Sequence, residues 1–396
     1  MMGTNFDEIV ERYNSGCRKW DNVVEIFGDA EVLPLWIADM DFASPPAVVR
    51  ALQAKAIHGV YGYPAQQDTL HRSVQNWLRR RHRWEVDLDW ICTAPGVVSS
   101  ISAAVLSLTA PGDGIIIQPP VYPPFFACIR SNERKIVENP LKNVNGYYEI
   151  DFDDLETKID QTVKMLILCS PHNPVGRVWR QDELRRLADI CLKHNIVILA
   201  DEIHHDLVFD SYHHIPMATL GADVADLTVT CVAASKTFNV AGLNTSFIIT
   251  PDSVKRKKLD HLMQALEISK TTIFGGAATQ AAYNESEEWL EQLRAYLSNN
   301  ADFLVEYVGQ HLPGVTVTKP EGTYLAWLDF RNLFSQPDQL KQFLIQEAKV
   351  GLNDGITFGS QGAGFARLNF GCPRSLIQQA LRRIEQAIAA RKQPVK

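Results

Sequence analysis

Residues 164–201 read KMLILCSPHNPVGRVWRQDELRRLADICLKHNIVILAD. The runs at 164–170 and 195–201 are continuously apolar instead of alternating, which suits strands buried on both faces. Between them Leu184, Leu187, Ala188 and Cys191 recur at helical spacing. Working outward, GIIIQ (114–118), LTVTCVA (227–233) and SFIIT (246–250) share the same texture. Strands alternating with helices predict an α/β fold: a mainly parallel sheet with helices on both faces.

Near residue 285 the pattern changes. ESEEWLEQLRAYLSNNADFLVEYVGQHL reads as one long amphipathic helix. A hairpin is expected in VTVTKPEGTYLAWLDF, then a helix, a strand at FARLNFG and a last helix from about 374. This is the signature of a smaller α+β domain. The expected division is a large domain over 51–284, and a small one built from 285–396 with the opening segment 1–50 docked on it.

Composition removes several functions. The 396 residues are 46% hydrophobic and carry a net charge of −7. The basic stretch VKRKK (254–258) reads as a solvated helix face, so no nucleic-acid partner is expected. No apolar run approaches the roughly 20 residues that span a bilayer. The polar, acidic start does not read as a signal peptide. Seven scattered cysteines without a CxxC pair predict reduced thiols and a cytoplasmic protein.

In open α/β sheets ligands sit beyond the carboxyl ends of the strands. After the strand at 90–93, Gly96 permits a turn and Val97 and Val98 open a helix, whose free amides favour an anion; alone this reads more readily as an ordinary strand–turn–helix joint. Tyr122, between prolines in PPVYPPFF, is either a stacking aromatic or a packed tyrosine. Asn173 in PHNPVG either bonds a ligand or stabilises its turn. Asp201 stands where an apolar strand stops and wants a cationic partner. Two histidines follow in DEIHHDL, but their spacing matches none of the usual zinc patterns, and no metal is expected. Lys236 ends another apolar run, after Ser235 and before Asn239, Gly242 and Asn244. Apolar surroundings disfavour its ammonium form and make the amine nucleophilic. Taken together, an anion cradle, an aromatic, an amide, a carboxylate and an amine describe a receptor for pyridoxal 5'-phosphate.

The order GVVSS, VYPPF, SPHNPVG, ADEIHHDL, SKTFNVAGL, FARLNFG resembles the fold type I pyridoxal-phosphate enzymes, aminotransferase class I/II. PLWIADMDFASPP (34–46), GVYGYP (59–64), TYLAWLDFR (323–331) and RLNFGCPRS (367–375) are similar to one branch, the MalY/PatB-type cystathionine β-lyases, or cysteine-S-conjugate β-lyases. The resemblance implies a carbon–sulfur lyase acting on cystathionine or related cysteine conjugates, with an aminotransferase as the alternative. It implies that Lys236 is the lysine joined to the cofactor's aldehyde and the catalytic base. Asp201 would partner the ring nitrogen, Asn173 the ring oxygen, and Tyr122 would stack, with His204 beside the cofactor. Val97, Val98 and Ser235 would hold the phosphate, and Arg367 the substrate carboxylate. Ile37, Ala38 and Tyr324, with Trp36, would wall the substrate, or else belong to the core. Tyr63, with Tyr61 as the other choice, would reach the phosphate of a second subunit in a homodimer with shared sites. Some relatives in this branch also bind a regulatory protein. Two positions depart from ordinary aminotransferases: His204 where Tyr is usual and Asn244 where Arg is usual. Both match the lyase branch.

Overall fold

The computed structural model describes residues 4–64 and 68–391. Its centre is a seven-stranded sheet of β1 (Ile91–Ala94), β2 (Gly114–Ile117), β3 (Lys135–Glu138), β4 (Val163–Cys169), β5 (Val197–Asp201), β6 (Thr228–Val232) and β7 (Ser246–Ile249). The spatial order is β1-β7-β6-β5-β4-β2-β3. Every neighbouring pair is parallel except those of β7, which runs antiparallel to β1 and β6. The link from β6 to β7 carries only the short helical turns Ala234–Thr237 and Ala241–Leu243. Without a crossover helix the chain returns antiparallel.

The apolar runs are continuous because each strand feeds two cores. Ile115, Met165, Ile167 and Leu199 pack on one face with Ile101 and Leu259 from helices α3 (Val97–Leu108) and α5 (Ser253–Ala265). Ile116, Leu166, Leu168 and Ile198 face the other way, against Leu184, Leu187 and Ile190 of α4 (Gln181–His194). Each such buried side chain contributes roughly 1.5–3 kcal/mol. Helices α1 (Pro46–His58), α2 (Asp68–His82) and α6 (Ile273–Glu285) pack together beside this sheet.

Beyond Glu285 lie the long helix α7 (Glu287–His311), a four-stranded antiparallel sheet and the last helix α8 (Arg374–Arg391). The sheet comprises β8 (Thr316–Val317), β9 (Leu325–Asp329), β10 (Asn353–Asp354) and β11 (Phe365–Asn369), in the order β8-β9-β11-β10. The expected hairpin is β8–β9. The opening segment meets this part of the chain where Leu33–Pro34 pairs in parallel with Val350–Gly351. Asn369 N–H donates to the Leu35 carbonyl at 2.9 Å, and Asp41 N–H to the Gly371 carbonyl at 2.8 Å. Lys19 is fully buried and reaches Asp41 at 2.5 Å, while Arg12 pairs with both Asp39 and Asp41.

All seven cysteines are free; six are buried and Cys17 is half-buried. Burial pushes the Cys169, Cys231 and Cys372 thiols above their ordinary range. Among the described residues no helix is long and apolar enough to cross a membrane.

Candidate active site

The carboxyl ends of β4, β5 and β6 and the start of α3 surround a cavity of about 230 Å³. Gly96, at φ 138°, turns the chain from β1 into α3. Its N–H is taken by the Ser246 hydroxyl at 3.0 Å. The amides of Val97 and Val98 follow in the first turn, which no carbonyl of the helix reaches, and both residues line the cavity.

Asp201 ends β5 and is 2% exposed. Burial raises its carboxyl to about 7, against the Ile203 N–H, which donates to Oδ1 at 3.2 Å, and the charge of Lys236. Lys236 sits in the turn after β6, its Nζ donating to the Ala38 carbonyl at 2.6 Å. Burial lowers its amine to about 8, with Arg367 acting in the same sense and Asp39 and Asp201 opposing. Ser235, Tyr122, Asn173 and His204 also line the cavity. Burial pushes the Tyr122 hydroxyl up to about 12, so the ring stays neutral. His204 is driven well below its usual range by burial, then by Lys236 and Arg367.

Arg367 lies in the middle of β11, buried at the cavity's edge. Its Nη1 donates to Asn173 Oδ1 at 3.0 Å, and its Nη2 to the Trp36 carbonyl at 2.7 Å and to Asn353. Burial brings it down to about 10, which leaves it a cation at neutral pH. Tyr324 donates its hydroxyl to the Ala38 carbonyl at 2.9 Å, so Ala38 receives both Lys236 and Tyr324. Ala38 lines the cavity; Ile37 instead gives its carbonyl to Asn369 Nδ2 at 2.6 Å. Trp36 is half-buried against Phe27. Tyr63 is fully exposed and outside the cavity of this chain.

The structure thus gathers Lys236, Asp201, Tyr122, Asn173, His204, Ser235, Val97, Val98 and Ala38 at one cavity, with Arg367 and Tyr324 bonded to its wall. Buried nitrogens there await a ligand: Arg367 Nε and His204 Nδ1 have no hydrogen-bond partner. An anion cradle at one end, an aromatic face, a carboxylate lacking a hydrogen-bonded cation and an amine of lowered basicity complement a flat cationic ring bearing phosphate and aldehyde. The residues fit pyridoxal phosphate.

Three asparagines were not read from the sequence as part of this assembly. Asn353 and Asn369 hold Arg367 and the Ile37–Asp39 backbone, and Asn239 binds both the N–H and carbonyl of Met40 and the carbonyl of Phe42. Asn239 has a local signal, its position just after Lys236 in a stretch needing a turn. It adopts φ 55°, which Asn tolerates. Asn353 has none, because its role depends on the pairing register that sets it opposite Arg367 of β11.

The profile of the family "Aminotransferase class I and II" matches residues 30–384. The chain is 42% identical to "Cystathionine beta-lyase PatB" of Bacillus subtilis (strain 168), over 97% of this chain and 100% of that one. It is 34% identical to "Protein MalY" of Escherichia coli (strain K12), over 98% and 99%. Among solved structures, cystalysin from Treponema denticola, which contains a pyridoxal 5'-phosphate cofactor, superposes with a TM-score of 0.96 at 37% identity, covering 99% of this chain and 100% of that one.

Proposed function

Since the chain belongs to the aminotransferase class I and II family, we propose that it is a pyridoxal-phosphate-dependent carbon–sulfur β-lyase, cleaving L-cystathionine or other cysteine S-conjugates to pyruvate, ammonia and a thiol. The end-to-end likeness to the Bacillus cystathionine β-lyase carries this reading. The geometry supports the following roles.

When bound, pyridoxal phosphate supplies an aldehyde that condenses with amines and a ring that accepts electrons from Cα. Asp201, desolvated at the end of β5, keeps the ring nitrogen's proton in place. The Val97 and Val98 amides and the Ser235 hydroxyl would hold the phosphate, and Tyr122 would face the ring. Asn173 would bond the ring oxygen. It also receives Arg367 Nη1, which couples cofactor placement to substrate placement. Arg367, fixed by Asn173, Trp36 and Asn353, still has an unpartnered Nε for the substrate carboxylate. Lys236, its basicity lowered to about 8, takes the Cα proton near neutral pH. The sulfur substituent then leaves from Cβ as thiolate. Ala38 and Tyr324 wall this space, and Ile37 fixes the wall through its backbone.

Incubated with L-cystathionine and cofactor but no keto acid, the purified protein is expected to release pyruvate and a thiol in equal amounts. Strict dependence on an added keto acid, with no thiol released, would overturn the reading in favour of an aminotransferase.

The same reading divides the chain at 51–284 and at 1–50 with 285–396, places it in the cytoplasm, and makes it a homodimer. Exposed Tyr63 would then reach the second subunit's phosphate. Light scattering should return twice the 44.4 kDa chain mass.

A further inference from the structure

Behind the strand end that carries Asp201, three histidines and two carboxylates come together from separate stretches of chain. His82 closes α2; Glu202, His205 and Asp206 follow β5; His214 lies on the loop beyond. The Glu202 and Asp206 side chains are wholly buried, and among the described residues their ion-pair partners are imidazoles alone. Asp206 is well supplied with donors. His82 Nε2 stands 2.8 Å from Oδ1, and the Thr237 hydroxyl (2.8 Å) and Trp77 Nε1 (3.2 Å) donate to it. Glu202 Oε1 accepts the Met217 N–H at 2.8 Å, which leaves Oε2 facing His214 Nε2 at 3.0 Å. Buried nitrogens remain unpartnered, the Nδ1 atoms of His205 and His214 among them.

Ligand atoms of Glu202, His205 and His214 lie within 4.8 Å of one another. Two bonds of about 2.0–2.1 Å at a tetrahedral angle span roughly 3.3 Å, close to the Glu202–His214 separation. The His205 and His214 rings meet at 63°, with centroids 5.9 Å apart. His82 instead stacks on His205 at 28°, with centroids 4.4 Å apart, and supports that ring from outside.

We propose that Glu202, His205 and His214 bind one divalent transition-metal cation of the zinc class. Two imidazoles and one carboxylate favour such an ion over magnesium or calcium, which prefer all-oxygen sites. Asp206 Oδ2 stands 3.2 Å from His205 Nε2 without being aligned for a hydrogen bond, and a small turn of the ring onto the cation would let it orient that imidazole. A cavity of about 650 Å³ borders the cluster on the side of His205, His214 and Asp206, while Glu202 lies behind its wall; of the arginines that also line it, Arg81 is paired with Glu291 and Arg294 with Asp210. The local spacing that argues against a metal in DEIHHDL leaves out His214, which only the fold brings in.

The test is calorimetric titration of cofactor-loaded protein, stripped by a chelator, with Zn²⁺. One ion per chain is expected, with affinity at least tenfold weaker in His205→Ala and His214→Gln. Exposed His213→Ala should bind normally, and Mg²⁺ should not bind. Absence of Zn²⁺ uptake, or uptake unchanged by either substitution, would overturn the proposal and leave the cluster a hydrogen-bonded support. Loss of uptake only in His213→Ala would also overturn it. Should the variants fail to fold, Co²⁺ added to the native protein decides the matter. Intense visible bands of a four- or five-coordinate ion are expected, and only the weak bands of hexaaqua cobalt would refute the site.

Discussion

Burial moves Lys236 and Asp201 in opposite directions and toward the same pH range. Replacing Lys236 by Ala removes the base and is expected to lower kcat for pyruvate formation by at least ~10³-fold, while the protein still takes up cofactor, as absorbance would show. Arg367→Ala should act mainly on KM, raising it by roughly 10–100-fold, the worth of a charge-assisted contact; steady-state kinetics separates the two. Asp201 has a stability signature. Its carboxyl is raised from 3.8 to about 7, so between those values the folded, cofactor-free chain holds a proton that the unfolded chain releases. Stability therefore falls as pH rises from about 4 to about 7, by an amount on the order of a few kcal/mol. Asp201→Asn should flatten that slope in denaturant titrations and stabilise the cofactor-free protein at pH 8, while abolishing turnover. Asp201 and Lys236 were legible because each ends an apolar run, whereas Arg367, in the middle of β11, was legible only through the family resemblance. The Ala38 carbonyl was not, since a backbone group carries no sequence signal and its partners, Lys236 and Tyr324, are remote.

At the level of elements, strand texture was legible because each strand lies between two helical layers. The direction of β7 was not. It depends on the short connection after β6, and SFIIT looks like any other buried run. The loop from β4 to α4 shows how a turn places a side chain. Gly176 adopts φ 72°, its N–H donates to the His172 carbonyl at 2.8 Å, and its carbonyl accepts from Glu321 and Gly322. A Cβ there would stand 2.5 Å from Pro320 Cβ. Gly176→Ala should cost roughly 1–3 kcal/mol and, by displacing Asn173, lower kcat/KM as well. Chemical denaturation together with an activity assay checks both effects.

For the whole molecule, the opening segment ties the two sheets together. Residues 36–42 are bonded to Arg367 and Asn369 on one side and to Lys236 and Asn239 on the other. The buried cluster of Arg12, Lys19, Asp39 and Asp41 anchors the chain that precedes them. Asp41→Ala would leave Lys19 buried without its close partner and should cost about 3–5 kcal/mol. Breaking the exposed Arg180–Asp182 pair should cost less than about 1 kcal/mol. Comparing denaturant midpoints tests the contrast. The ion pairs of this segment were not legible, because nothing local marks Lys19 as different from a surface lysine. The burial of six cysteines and the half-burial of Cys17 have a consequence for an enzyme whose product is itself a thiol. Released sulfhydryl would accumulate beside the catalyst, yet none of the chain's own sulfurs lies fully open to it or to the oxidised forms it gives rise to, so turnover would not consume the protein through mixed disulfides.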